Sequence, residues 1–265
     1  MRISDMALPL VAAVALTACG NDATEPEGTV PLSLSVTVGS SVPATAASVG
    51  FPLLARSEVY DDGVNELVVD YVGVVLSEVE LEGALANCDG ATSEEEDDDD
   101  ACEEFEAGPF LLELPLDGSV DRLLEVFVAP GVYDELEFEL DTPDDDDASE
   151  LAFIDGHPEF DGVSVRVEGS WNGAPFVFVQ DIEAEQELAL SPPLEVDDDG
   201  SSQNLTLRMD ISGWFLDGDQ LVDPATALKD GPNEELVEDN IQRSFDLFED
   251  DDEDGRDDEL EEADD

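Results

Sequence analysis

The sequence predicts an all-β protein: an antiparallel β-sandwich of the immunoglobulin or transthyretin kind, with a short C-terminal helix and an acidic tail. Three observations point there. About ten short apolar runs alternate with polar residues at period two, clusters of Gly, Pro, Asn and Asp separate them, and a helical period emerges only beyond residue 230. With 42% apolar residues over 265 positions, the chain has the material for a real core. A closed barrel is the alternative arrangement.

Residues 1–18 precede the folded part. From Met6 the positions are mostly apolar, but the run is about a dozen long where a membrane-crossing helix needs about 20. It ends in Leu16-Thr17-Ala18-Cys19. That stretch resembles the lipobox of prokaryotic lipoproteins, which implies cleavage before Cys19 and lipidation of its thiol. Arg2 is the only fixed cation ahead of the run, and Asp5 works against it. An ordinary cleaved signal peptide is the alternative. Several acyl chains on Cys19 would hold the protein on a membrane, since one chain alone binds marginally. The resemblance thus implies a cell-envelope protein facing the periplasm or the outside. Residues 19–29 are polar, with Pro26 and Gly28, and read as a flexible tether.

Besides Cys19, only Cys88 and Cys102 are present, bracketing an acidic stretch. Outside the cytoplasm such a pair oxidises to a disulfide, contributing about 3 kcal/mol in the chain-entropy treatment. A metal pair is the alternative reading, but no histidine or third thiol lies nearby in sequence.

Charge sets a further bound. There are 72 Asp and Glu against 8 Lys and Arg, a net charge of −64, and Lys229 is the only lysine. Such a chain repels nucleic acid and anionic lipid, and it strains its own compact state unless salt screens it. Adaptation to high salt accounts for that surface without any specific cation site, and a monomer is expected.

The β domain is expected over 30–225. Leu32, Leu34, Val36 and Val38 alternate with Ser33, Ser35 and Thr37, as in a half-buried strand. Apolar residues return at 51–55 and then from Val64 to Leu81. The inward set in that long run reads Leu67, Val69, Tyr71 and then Val72, Val74, Leu76, so a bend is expected near Gly73. Strands follow at 110–116 and 123–128. Ala129-Pro130-Gly131 then reverses the chain, because proline presets one turn dihedral and glycine permits the left-handed one. Leu136, Phe138 and Leu140 next alternate with Glu135, Glu137 and Glu139, giving one core face and one wet face.

Residues 144–147 are a charged loop, and Asp155-Gly156-His157-Pro158 reads as a turn. Val163, Val165 and Val167 lead to Trp171, and Asn172-Gly173 is the preferred two-residue hairpin turn before Phe176 and Phe178. Strands at 188–190 and from Leu205 are separated by Pro192-Pro193 and the Asp197–Gly200 turn. Over 226–248, a linker leads into an amphipathic helix carrying Leu236, Val237, Ile241, Phe245 and Phe248. Residues 249–265 are almost wholly acidic and read as a disordered tail.

The stretch from about Val30 to Asp223, with its Ala129-Pro130-Gly131-Val132-Tyr133 turn, resembles an uncharacterised β-sandwich domain family of bacterial and archaeal envelope lipoproteins. It is similar to transthyretin-like and carboxypeptidase-regulatory-like sandwiches where Pro-Gly-x-Tyr leads into a strand. The resemblance implies fold and location, and it carries no active site.

Catalytic signatures are missing from the sequence. It holds no Gly-x-Ser-x-Gly, no phosphate-cradling glycine loop and no His-Glu-x-x-His, and His157 is the only histidine. One constellation stands out. Asp250, Asp252, Asp254, Arg256, Asp258 and Glu261 take the ligand steps of an EF-hand-type calcium loop, with Gly255 at its sharp turn. In so acidic a stretch the carboxylates match almost automatically, so Gly255 carries the information. Asp257 also stands where an apolar residue is usual.

The leading expectation is a non-enzymatic, membrane-anchored module that binds an unidentified protein or carbohydrate, or is structural, and has no cofactor. An exposed aromatic patch at Trp171 or Trp214 would mark such a binding face. A calcium-binding surface protein is the first alternative, and a carboxylate-dependent hydrolase the second.

Overall fold

The computed structural model describes residues 29–39, 57–83, 103–143, 148–197 and 202–258. Cys19, Cys88, Cys102 and Glu261 lie outside the described residues, as do the leader segment and the run 51–55.

The described chain is mostly strand. The strands are β1 (Val30–Val38), β2 (Glu58–Asp61), β3 (Glu66–Gly83), β4 (Glu103–Ala107), β5 (Phe110–Glu113), β6 (Asp121–Val128) and β7 (Gly131–Leu140). After helix α1 (Ala148–Gly156) come β8 (Val165–Trp171), β9 (Ala174–Gln180), β10 (Ala184–Val196), β11 (Gln203–Met209), β12 (Leu216–Asp217) and β13 (Gln220–Leu221). Helix α2 (Glu234–Gln242) and strand β14 (Phe245–Glu249) complete the described elements.

A four-stranded sheet runs β14-β11-β1-β6. Its pairs are antiparallel except β1 with β11, which run parallel. The larger, eight-stranded sheet is antiparallel and built on β3, whose residues have partners on both sides. Val69 faces Glu58 and Gly169, Val74 faces Leu112 and Val165, and Val79 faces Ala107 and Phe138. It follows that β2, β5 and β4 succeed one another along one margin of β3, with β8 and β7 end to end along the other. Strand β9 extends the β8 side and β10 extends the β7 side.

One apolar core joins the two sheets. Leu34, Val36, Leu205 and Leu207 enter it from the small sheet, and Val72, Leu81, Phe138 and Phe178 from the large one. Trp214, Val237 and Ile241 add to the same cluster. Burial of such side chains at about 1.5–3 kcal/mol each is the main driving term of the fold.

Several expectations hold. The Asn172-Gly173 turn forms with φ of 50° and 78°, and β8 and β9 pair from Trp171–Ala174 to Val165–Gln180. Leu136, Phe138 and Leu140 are buried, while Glu135, Glu137 and Glu139 are not.

Others change. The long run shifts phase at Asp70 and at Ser77, where the pairing register slips, and not at Gly73. Tyr71 consequently faces away from the main core and packs on a second cluster of Val75, Phe153 and Phe160. Gly73 is constrained instead by space, because a Cβ there would come within 2.6 Å of Phe160 Cζ and the Tyr71 hydroxyl.

Leu151, Phe153 and Ile154 fall in α1, a helix whose Phe153 is buried over that second cluster. Pro192-Pro193 does not separate strands either, because β10 runs through it and absorbs it as a register break between Ala189 and Leu194. The C-terminal helix stops at Gln242, and Phe245 to Glu249 form a strand paired with β11. The spacing Val237–Ile241–Phe245–Phe248 suits a helix. The open side of β11, however, offers a ladder of main-chain partners that a lone helix end lacks. Ser33, Ser35 and Thr37 are buried as well, so β1 has no wet face.

Candidate functional site

The outer face of the small sheet shows why those hydroxyls are covered. Ser33 Oγ and Ser35 Oγ donate to Asn204 Oδ1 at 2.9 and 2.8 Å. Asn204 Nδ2 donates in turn to Thr206 Oγ1 at 3.0 Å and to the Asp250 carbonyl at 2.9 Å. Thr206 Oγ1 donates to Asp250 Oδ2 at 2.9 Å. The chain leaving β14 folds back over this polar row, and Asp250 is 0% exposed.

Asp250 shapes the turn that follows. Its Oδ1 accepts the Asp254 N–H and its Oδ2 the Gly255 N–H, both at 2.9 Å. Gly255 takes φ +82° and lies against Val120 and Thr37. Arg122 of β6 pairs with Glu253 at 2.5 Å, so the loop is tied to three strands of one sheet.

Within this turn one carboxylate oxygen each from Asp250, Asp252 and Asp254 lie within 4.8 Å of one another. Asp252 and Asp254 are more open to solvent than Asp250. Asp252 is held above the usual carboxylate range, first by desolvation and then by the charges of Asp254 and Asp258. Asp258 is also raised, again chiefly by desolvation, although its carboxylate accepts the Asp251 N–H at 2.8 Å. The Arg256 side chain reaches Asp254 at 3.4 Å. Of the six positions matching a calcium loop, three converge, Asp258 is turned to the loop's own backbone, Arg256 pairs with Asp254 and Glu261 lies outside the described residues. Converging oxygen donors of this kind suit a hard cation such as calcium.

Two partners in this site were not legible as such. Asn204 and Thr206 alternate with Leu205 and Leu207 in β11, which marks them only as a polar strand face. Nothing local tells that a carboxylate some 45 residues on will settle there.

A second carboxylate group lies on the outer face of the large sheet. Glu82 is paired in register with Glu135, and Glu137 with Glu187. Oxygens of Glu82, Glu135 and Glu137 approach within 4.8 Å. Desolvation, followed by the neighbouring glutamates, raises Glu135 and Glu137 above the usual range. This group and the Asp250 loop are the two such clusters among the described residues.

His157, Trp171 and Trp214 all pack against apolar neighbours. The His157 ring packs against Phe153 with centroids 4.9 Å apart, and the His157 backbone N–H donates to Phe153 O, continuing the helical turn. Trp214 is buried at 1% exposure and belongs to the core, whereas Trp171 is half-buried against it. Trp214 therefore offers no exposed aromatic face.

Compared with known proteins, the chain matches no family model, no curated sequence and no solved structure.

Proposed function

We propose that this is an exported, lipid-anchored envelope protein whose β domain is a non-catalytic binding or structural module with a calcium loop at its C-terminal edge. Support for export rests on Leu16-Thr17-Ala18-Cys19, with Cys19 as the lipidated residue and Cys88–Cys102 as a disulfide formed after export. On this reading the domain is a sandwich, β14-β11-β1-β6 facing β10-β7-β3, as their shared core suggests.

The observation that carries the calcium reading is the buried Asp250 carboxylate. It presets the turn by accepting the Asp254 and Gly255 N–H groups, and it brings Asp252 and Asp254 into convergence with itself. Three like charges held together in this way are relieved by a divalent cation, and binding to the folded state alone stabilises it.

Calorimetric titration of calcium into the chain from Gly20, in high NaCl, tests this. The expected result is saturable binding that Asp252→Asn and Asp254→Asn each weaken. An absence of saturable heat would overturn the reading and leave Asp250 as an internal hydrogen-bond acceptor only.

A further inference from the structure

Strand β9 differs from every other strand at a margin of the two large sheets. Ala174 to Gln180 holds no charged residue, in a chain where 30% of residues are charged. The other margins carry Glu58 in β2, Glu113 in β5, Asp121 in β6, Glu185 in β10 and Asp246 in β14, and three glutamates fall in β4. Charges on edge strands are the usual protection against pairing with another chain.

The register shows which groups of β9 are free. Across the two-residue turn, Trp171 and Ala174 form the mutually bonded pair, so Ala174, Phe176, Phe178 and Gln180 bond back to β8. Pro175, Val177 and Val179 then direct their main-chain groups outward. Proline fits that place because its missing N–H removes no bond to β8. Among the described residues no hydrogen bond reaches the outward side of 174–179. Val177 is 49% exposed on the outer sheet face, and Val59, 55% exposed, lies on that same face.

Two ion pairs flank the strand, the second of them close to the charges of Asp230, Glu234 and Glu238. On β8, Arg166 pairs with Glu168, and just beyond β9 the chain's only lysine, Lys229, pairs with Asp181. The strand itself sets no carboxylate opposite a second, equally acidic copy.

We propose that β9 is a self-association edge, at which two copies of this chain join their large sheets by antiparallel β9–β9 pairing about a two-fold axis at Val177. Centred there, the two Val177 residues exchange N–H and C=O, and each Val179 N–H reaches the Pro175 carbonyl of the other copy. The two-fold also places Val177 beside Val177 on one face, a β-branched cross-strand pair. The net charge of −64 opposes the encounter at long range. Pairing therefore forms when salt shortens the Debye length to a few ångströms, at about 1 M or above.

Sedimentation velocity on the chain from Gly20, in about 2 M NaCl, tests the proposal together with Val177→Lys and Val59→Lys. The expected result is a concentration-dependent doubling of mass in the wild type and Val59→Lys. Val177→Lys, exposed and hence tolerated in the fold, stays monomeric with an unchanged circular dichroism spectrum. A wild type that stays monomeric up to about 1 mM, far above the micromolar range of ordinary specific association, overturns it. So does a Val177→Lys variant that dimerises like the wild type.

Discussion

Replacing Thr206 by Val isolates the link between the small sheet and the Asp250 loop. The two side chains are nearly the same shape, and Thr206 is 0% exposed, so packing is conserved and only the hydroxyl is lost. Two hydrogen bonds go with it. The bond to Asp250 Oδ2, 2.9 Å long, involves a carboxylate and contributes about 1.5–3 kcal/mol. The bond from Asn204 Nδ2, 3.0 Å long, joins neutral groups and contributes about 1 kcal/mol. Asp250 Oδ2 keeps the Gly255 N–H, and Asn204 keeps its bond to the Asp250 carbonyl, so neither group is fully orphaned. The expected loss is about 3 kcal/mol of unfolding free energy. Urea denaturation in high NaCl, followed by circular dichroism, measures it, and urea leaves the ionic strength unchanged. Thr206→Ser, which keeps the hydroxyl, should recover most of the loss. If Thr206→Val falls within about 0.5 kcal/mol of the wild type, the range of an indifferent surface change, the Asp250 network does not hold the loop.

The Asp62 carboxylate accepts the N–H groups of Asn65, Leu221 and Val64, which lowers its pKa to about 2. A depressed carboxylate contributes stability above its unfolded pKa and loses it as pH falls through the folded one. Asp62→Ala should thus destabilise clearly at pH 5 and far less at pH 2, where the native carboxylate is already half protonated, and an equal shift of the urea midpoint at the two pH values would contradict this. Glu137 has the opposite sign: its raised pKa means that ionisation weakens the fold, so the deficit is absent below the unfolded pKa and complete above the folded one. Glu137→Gln should raise the melting temperature at pH 7 and leave it unchanged near pH 3.5; an effect independent of pH would show that charge is not the cause. For the anchor, Cys19→Ser should move the protein from the detergent to the aqueous phase in Triton X-114 partition of host cells, and an unchanged distribution would refute lipidation.

The candidate site was legible in part. The spacing Asp250, Asp252, Asp254, Gly255 is a local pattern, and the turn it implies forms with Gly255 in the left-handed region. What that spacing could not convey is that Asp250 would be buried, because its burial depends on Thr206 and Asn204 in a strand far away in sequence. Of the tail expected to be disordered over 249–265, residues 249–258 form a strand end and a hydrogen-bonded turn instead, for the same reason. Composition describes the average solubility of a stretch, whereas Asp250, Asp251 and Glu253 find specific donors on one sheet.

By itself the sequence determined the β character of the chain, most strand positions and the hairpin at Asn172-Gly173. Period-two alternation and turn chemistry act over a few residues and need no partner. Only the tertiary structure decided which strands pair. The parallel match of Leu34 with Leu205, the register shift at Asp70 that turns Tyr71 outward, and the conversion of Phe245–Glu249 from helix to strand all depend on ladders between distant segments. A strand's own pattern says which face is apolar. It does not say whose backbone will complete its hydrogen bonds, and that choice buried Ser33, Ser35 and Asp250 while, among the described residues, leaving β9 at the end of its sheet.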